Sequence, residues 1–299
     1  MFLSVFDMFK VGIGPSSSHT MGPMVAAGMF LDLLRASPFE AAGLKARLHG
    51  SLAFTGVGHA TDRATLLGLA GFSPETYDAA KAEATLEAMR RNKEVSPDGL
   101  GTLHLDPASD IVFDFGPSLP GHTNGMILMA TDAQGDVILQ QTYYSIGGGF
   151  VVTAEDMASG VSTGDMDPYP HEFNTANELL ALCAAQEKSI AQIKRENELS
   201  RRSAAALDRG LAKIWEVMND CINRGLDRGG ILPGGLNVKR RAKPIHEALM
   251  AERGIELQGV AVPGGKRGQR HAAAAAERAR GSHTRKDRRR AAAERTSEE

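Results

Sequence analysis

The chain has few cysteines, few aromatic residues and no long apolar segment. Its 299 residues include two cysteines and one tryptophan, which excludes the dense disulfide network of a small secreted domain. The longest apolar stretch, residues 21–34, contains Asp32 and is too short to cross a bilayer. Asp7 interrupts the N-terminal apolar stretch and no basic residues precede it, unlike a secretory signal. We therefore expect a soluble, cytoplasmic protein without a membrane partner.

Positive charge is concentrated at the C-terminal end. Residues 260–299 contain 11 of the 34 Lys and Arg residues but 5 of the 36 Asp and Glu residues, so this tail carries +6 and the remainder −8. The tail lacks aromatic residues for base stacking, and the acidic remainder would repel phosphate. We predict a disordered Arg/Ala-rich tail over 260–299 and no nucleic-acid partner.

Residues 10–23 combine glycines, hydroxyl side chains and an imidazole directly before an apolar run. The polar members are Ser16, Ser17, Ser18, His19 and Thr20. Such a segment can cap a helix and still leave hydroxyls and backbone N–H groups free for an anion. An ordinary serine-rich helix cap is the alternative.

A second cluster, residues 55–62, follows a segment in which Leu44, Ala46, Leu48 and Leu52 share one face of a predicted strand. We interpret the order as strand, glycine loop and helix, with Thr61 as the helix N-cap and Gly71 at its exit. His59 would then lie beside a helix N-terminus, where the helix dipole favours a neutral imidazole that can accept a proton. A histidine that merely closes the loop is the alternative.

A third cluster contains Asn124 and precedes a predicted hairpin with strands 127–131 and 137–144. The returning strand runs into three successive glycines, Gly147, Gly148 and Gly149. Three glycines in a β-rich run indicate positive φ or close approach of the backbone to a ligand.

The organisation predicted from these patterns is an α+β domain, a mixed sheet with helices, over residues 1–155. A Gly-, Asp- and Pro-rich linker over 156–173 follows, and then an incomplete all-α domain over 174–259. Within it we predict a helix capped by Thr175, a second from Ser189 onward, and a third over 204–224 that stops at Gly225.

Four ordered motifs, at residues 6–20, 56–62, 124–126 and 143–150, resemble bacterial iron–sulfur L-serine dehydratase. The resemblance continues through Asn197, Glu198 and the segments 221–225 and 232–242, and so covers roughly residues 2–250. It implies conversion of L-serine to pyruvate and ammonia with a 4Fe-4S cluster rather than pyridoxal phosphate. It also implies an N-terminal α+β domain, a helical domain that carries the cluster, and a homodimer.

The chemistry of serine dehydration suggests a role for each candidate residue. Removing the α-proton and the hydroxyl of L-serine requires a base, a carboxylate anchor and an electrophile, the last being the open iron of the cluster. We expect His59 to accept the proton, His19 to orient the carboxylate, and Thr61 or Asp62 to steady the loop. The carboxylate anchors would be Ser16, Ser17, Ser18 and Thr20, with Asn124 and the turn Gly147, Gly148 and Gly149 lining the remaining wall.

The sequence departs from the family in its cysteines. A cluster with one open iron needs at least three thiolates, whereas the chain has Cys183 and Cys221, which we expect to be buried small side chains. We interpret the chain as C-terminally truncated, by our hypothesis through a frameshift, and expect it to be inactive alone and to expose apolar helix faces. The alternative function is a serine-binding regulatory or sensor module, because the family's N-terminal domain is similar to a ligand-binding domain of some phosphoglycerate dehydrogenases.

Overall fold

A computed structural model describes residues 4–160, 169–232 and 237–252 of the chain. The strands are β1 (Gly43–His49), β2 (Glu94–Val95), β3 (Leu103–His104), β4 (Ile111–Asp114), β5 (Gly125–Thr131), β6 (Val137–Gly147) and β7 (Phe150–Thr153). The helices are α1 (Val5–Met8), α2 (Gly22–Ala36), α3 (Ser51–Phe54), α4 (Gly56–His59), α5 (Thr61–Leu69), α6 (Ala79–Asn92), α7 (Ala154–Ser159), α8 (Ala176–Ala185), α9 (Ile190–Leu199), α10 (Ala204–Asp227) and α11 (Ala242–Glu252). A single π-helical turn, Ser17–Met21, leads into α2 and is called the π turn below. The mixed sheet with helices and the later helical region confirm the predicted α+β organisation, while the predicted tail lies outside the described residues.

The sheet is built around β1. In the described residues the strand order is β2-β3-β1-β5-β6-β7, with β4 also paired to β1. β3 and β4 run parallel to β1, and β5 runs antiparallel to it. The carboxyl end of β1 therefore lies beside the start of β5, which places the second and third sequence clusters at the same end of the sheet.

The predicted alternation in β1 is confirmed for Leu44, Ala46 and Leu48, which are buried in the core. The prediction that Leu52 continues this strand is wrong. The strand ends at His49 because Gly50 has a positive φ of 54° and turns the chain into α3, from which Leu52 is buried instead. The predicted glycine loop likewise contains a short helix, α4.

Helices α2 and α5 carry a large part of the core. The apolar side chains of α2 recur at helical spacing on one buried face, and Met24, Phe30 and Leu34 are at most 1% exposed. The two helices cross closely at Gly68, where an added Cβ would lie 2.6 Å from the carbonyl oxygen of Met24. This close crossing holds the first turns of α2 against the last turn of α5.

The predicted hairpin is confirmed. β5 and β6 pair antiparallel, and the turn 132–135 between them includes Gly135 with φ of 88°. Gly147, Gly148 and Gly149 connect β6 to β7 and have φ values of 97°, 61° and 76°. The positive φ predicted for this glycine run is therefore present at all three positions.

The helical region follows the predicted caps, with two corrections. The side chains of Thr175, Ser189 and Ser203 accept hydrogen bonds at the starts of α8, α9 and α10. Gly225 does not stop α10, which continues in helical conformation to Asp227. Residues 156–159 of the predicted linker belong to α7, and residues 161–168 lie outside the described part of the chain.

A buried carboxylate ties the helical region to the N-terminus. Glu198 on α9 accepts hydrogen bonds from the Ser4 hydroxyl at 2.8 Å and from the Val5 N–H at 2.7 Å. The Phe6 ring packs where a Cβ on Gly210 of α10 would lie, at 2.4 Å. The helical region therefore contacts the segment that leads into residues 10–23.

The chain divides into two compact units, residues 1–243 and residues 244–299. The described part of the second unit is the remainder of α11. Across the described ranges, the apolar stretches of the helices are all too short or too interrupted to span a membrane.

Candidate active site

The first sequence motif forms a capped helix start, as predicted. The Ser16 side chain accepts a hydrogen bond from the His19 N–H at 3.1 Å. The carbonyl of Ser16 accepts hydrogen bonds from the N–H groups of both Thr20 and Met21. The bond from Met21, five residues further along, gives the turn its π character. The N–H groups of Ser17 and Ser18 lie in the first turn, where a helix supplies no acceptor for them.

The His19 ring is held by hydroxyls on both sides. Its Nδ1 lies 2.9 Å from the Ser18 Oγ, and its Nε2 lies 2.9 Å from the Ser51 Oγ. Burial lowers the pKa of His19, the nearby His59 lowers it further, and an interaction with the backbone of Ser51 acts in the opposite direction. His19 is therefore a neutral, oriented imidazole near pH 7.

The hydrogen bonding of His59 identifies its tautomer. Its Nδ1 lies 2.9 Å from the carbonyl oxygen of Thr55, which can only accept a hydrogen bond. Nδ1 must therefore carry the proton, and in the neutral ring Nε2 keeps a free lone pair. No described residue forms a hydrogen bond with this Nε2, so it is available to a ligand.

The two imidazoles lie together. Their ring centroids are 4.8 Å apart, with an interplanar angle of 36°. The Thr20 hydroxyl donates a hydrogen bond to the His59 carbonyl at 2.9 Å, which ties the π turn to the end of α4. Two motifs separated by 40 residues are thus brought together in one neighbourhood.

Thr61 does not cap α5, contrary to the sequence prediction. Ala60 occupies the cap position in left-handed conformation, with φ of 53°, and supplies no side-chain hydrogen bond. Thr61 is the first helical residue, and its buried hydroxyl has no hydrogen-bond partner among the described residues. Asp62 follows, half-buried and without a hydrogen bond to any described residue, and the predicted exit at Gly71 is confirmed by its φ of 88°.

The third motif reaches the site mainly through the backbone. The Asn124 amide donates to the Ser145 carbonyl at 3.0 Å, and the Ser51 N–H donates to the Thr123 carbonyl at 2.8 Å. Ser145 packs against Gly22 at the end of the π turn. Asn124 therefore lies beside the two motifs, with its side chain partly used in holding β6.

The glycine turn contributes one residue to this neighbourhood. An added Cβ on Gly149 would meet the Met21 side chain of the π turn at 2.9 Å, whereas one on Gly147 would meet no atom within 4 Å. Gly148 lies next to the Phe150 ring. Of these three glycines, Gly149 is therefore the one that lies beside the π turn.

Sequence reasoning missed Ser51 and Thr55, which hold the two histidines. A hydroxyl directly after a glycine at a strand end is the signal that could have indicated Ser51. The candidate site therefore consists of hydroxyls, backbone N–H groups and two imidazoles, located where β1, β5 and α2 meet.

The family model for the serine dehydratase beta chain matches residues 4–156, more than half of the chain and the whole of this site. The chain belongs to the serine dehydratase family. The model for the serine dehydratase alpha chain matches residues 185–285. This second match extends past residue 250, where the resemblance seen in the sequence was expected to end.

Curated relatives of this family are similar over most of the chain. An L-serine dehydratase of Streptomyces coelicolor is 42% identical over 254 residues, which cover 84% of this chain and 56% of that protein. L-serine dehydratase TdcG of Escherichia coli K12 is 42% identical over 85% of the chain and 56% of its own length. An L-serine dehydratase of Mycobacterium tuberculosis is 40% identical over 84% of the chain and 54% of its own length. The chain thus spans about half the length of the curated serine dehydratases it matches.

The residues present do not fit the 4Fe-4S cluster that the resemblance implies. Cys183 on α8 is half-buried and Cys221 on α10 is exposed, and both are free thiols. The expectation that both are buried is therefore wrong, because α10 buries only Leu207. Two cysteines are fewer than the three thiolates required, and the described residues contain no group of three or more His, Cys, Asp or Glu placed to hold a metal.

Proposed function

We propose that this chain supplies the substrate-binding and proton-accepting part of an L-serine dehydratase, which converts L-serine to pyruvate and ammonia. The observation that carries the proposal is that Nε2 of His59 has no hydrogen-bond partner among the described residues, while the centroid of its ring lies 4.8 Å from that of a second imidazole held by two hydroxyls. Membership of the serine dehydratase family supports L-serine as the substrate. The site lies within the proposed N-terminal domain, residues 1–155.

The π turn is suited to the carboxylate of the substrate. The N–H groups of Ser17 and Ser18 begin a continuous helix, Ser17–Ala36, whose positive end favours an anion. The exposed Ser17 hydroxyl makes no hydrogen bond to any described residue and can donate to the same carboxylate. Ser16, Ser18 and Thr20 bond within the protein, so their main contribution is to shape the turn.

His59 then accepts the α-proton at Nε2. A base for this step must be neutral before the reaction, and the Thr55 carbonyl keeps the proton of the neutral ring on Nδ1, away from the substrate. Both ring nitrogens of His19 lie within hydrogen-bond distance of the Ser18 and Ser51 hydroxyls, so His19 orients the carboxylate indirectly, by holding the π turn in place. Departure of the substrate hydroxyl needs an electrophile, and we assign that role to no residue of this chain.

A serine-binding module without catalysis is the second candidate. The observation that favours it is that the chain has the N–H and hydroxyl groups of the π turn, which we assign to the carboxylate, but two cysteines, fewer than a cluster needs. Such a module would bind L-serine at the same turn and need no cluster.

Calorimetric titration of the chain with L-serine tests the shared part of both proposals. We expect binding in the wild type and at least about tenfold weaker binding for His19→Ala, a loss of roughly 1.4 kcal/mol, because the ring that holds the π turn in place disappears. His104→Ala is the matched control, since His104 pairs with Gly43 at the opposite end of β1. Absence of L-serine binding would contradict both candidates.

The chain alone is expected to be inactive under either proposal, so the two are separated by a pyruvate assay of a joined protein after anaerobic reconstitution with iron and sulfide. Binding of L-serine without turnover by the joined protein favours the module. For the dehydratase, residues 1–250 are joined to the complete helical domain of a relative, and His59→Ala is introduced. We expect pyruvate formation to fall by at least about a hundredfold, the usual contribution of a general base, and near-normal turnover would remove His59 from the mechanism.

A further inference from the structure

We infer that Ser51 is a positioning residue for both imidazoles, with its hydroxyl holding the His19 ring and its carbonyl holding His59 through Thr55. The inference deepens the proposed function, on which the catalytic meaning of the two rings rests. Ser51 was not among the residues that the sequence suggested.

The first part of the inference, called the hydroxyl arm below, is the direct contact between the Ser51 hydroxyl and the His19 ring. The Ser51 Oγ lies 2.9 Å from Nε2 of His19, on the opposite side of the ring from the Ser18 Oγ, which lies 2.9 Å from Nδ1. When His19 is protonated both ring nitrogens must donate, and each of these hydroxyls can accept. Removing the Ser51 hydroxyl leaves one of the two N–H groups without its acceptor.

The second part, called the carbonyl arm below, links the Ser51 carbonyl to the His59 ring through Thr55, one helical turn further along. The Ser51 carbonyl accepts hydrogen bonds from the Thr55 N–H at 3.1 Å and from the Thr55 hydroxyl at 2.8 Å. The Thr55 carbonyl in turn accepts from Nδ1 of His59 at 2.9 Å. The position of the Ser51 backbone thus fixes Thr55, and Thr55 fixes the His59 ring, which we propose accepts the proton.

The backbone around Ser51 is itself held in place. Gly50 has φ of 54°, and an added Cβ there would lie 2.3 Å from the Thr123 carbonyl oxygen, so only glycine fits. The Ser51 N–H donates to that same carbonyl at 2.8 Å. Ser51 is therefore anchored to the start of β5 before it contacts either histidine.

The test is a pH titration of the ring ¹⁵N signals of the ligand-free chain by NMR, for the wild type, Ser51→Ala and Ser51→Thr. We expect Ser51→Ala to weaken proton binding at His19 about threefold to tenfold, corresponding to one lost hydrogen bond, and to lower its pKa further. Ser51→Thr keeps the hydroxyl and should leave His19 as in the wild type. The exposed Ser96→Ala is the matched control.

The direction of the change separates positioning from structural damage. A loosened site would expose His19 to water and raise its pKa towards the ordinary value, whereas a lost acceptor lowers it. An unchanged or raised pKa in Ser51→Ala, or the same change in Ser51→Thr, would overturn the hydroxyl arm. The carbonyl arm requires His59 to remain the Nδ1–H tautomer in all variants, and an Nε2–H tautomer would overturn it. These signals are recorded without L-serine, so failure of serine binding would not be confused with failure of this inference.

Discussion

At the scale of single residues, the hydrogen-bond partners of the histidines decide their chemistry. His59 has a backbone carbonyl as partner and therefore one tautomer, while His19 has two hydroxyls, each of which can donate or accept. A third histidine, His49 at the end of β1, is buried, and its Nε2 has no partner in the described part of the chain. Burial lowers the pKa of His49, and the Asp114 carboxylate, 3.8 Å away, opposes this only in part.

The lowered pKa of His49 predicts a stability that depends on pH. Below the ordinary pKa of 6.5 the unfolded chain binds a proton that the folded chain resists, so the free energy of unfolding should fall as the pH falls from about 6.5 towards the folded pKa. One such group changes this free energy by at most about 1.4 kcal/mol per pH unit. Urea unfolding at a series of pH values should show a shallower dependence for His49→Gln. Parallel curves for the variant and the wild type would contradict the prediction.

At the scale of elements, the site depends on the close crossing of α2 and α5. The histidine-bearing segments lead directly into these two helices, so a change in their separation moves the π turn relative to α4. The crossing is close because Gly68 has no side chain, and the nearest atoms to an added Cβ include the backbone of Met24, which cannot move aside like a flexible side chain.

Gly68→Ala should therefore lower the free energy of unfolding by roughly 1–3 kcal/mol, the usual cost of overpacking. Gly28→Ala is the matched control on α2, because an added Cβ there meets no atom within 4 Å. Alanine at Gly28 should stabilise the helix by roughly 0.5–1 kcal/mol. Both values can be measured by urea unfolding, and equal effects of the two substitutions would show that the crossing tolerates a methyl group.

At the scale of the whole molecule, α10 exposes an apolar stripe. Leu207 is its one buried residue, whereas four large apolar side chains further along are 38–55% exposed. They are Leu211, Trp215, Met218 and Ile222, spaced four, three and four residues apart on one face. Apolar faces of this kind are typical of surfaces that bind another protein segment.

We predict that the chain self-associates or precipitates through this stripe. Sedimentation velocity should show species larger than a monomer, and Trp215→Lys should shift the distribution towards the monomer because a charge cannot be buried without a partner. Asp220→Asn raises the net charge by the same one unit on the opposite, exposed face of α10 and should leave the distribution unchanged. A monodisperse, cooperatively melting wild-type monomer would contradict the prediction.

Local signals made much of the fold predictable. The β5–β6 hairpin, the caps of α8, α9 and α10, and the positive φ of Gly147, Gly148 and Gly149 all follow from residues that are neighbours in the chain. Two of the errors, at Leu52 and Thr61, occurred where Gly50 and Ala60 have positive φ and change the direction of the backbone. Alanine in that conformation is uncommon and leaves no sequence signal.

The amino-acid sequence by itself determined the family, through four ordered motifs, and the mixed sheet with helices, through periodicity and turn residues. Only the tertiary structure decided that His19 and His59 share one site, that Ser51 and Thr55 orient them, and that the face of α10 carrying Trp215 is exposed. These contacts join residues far apart in the chain, and they depend on how β1, β5 and α2 meet at one end of the sheet.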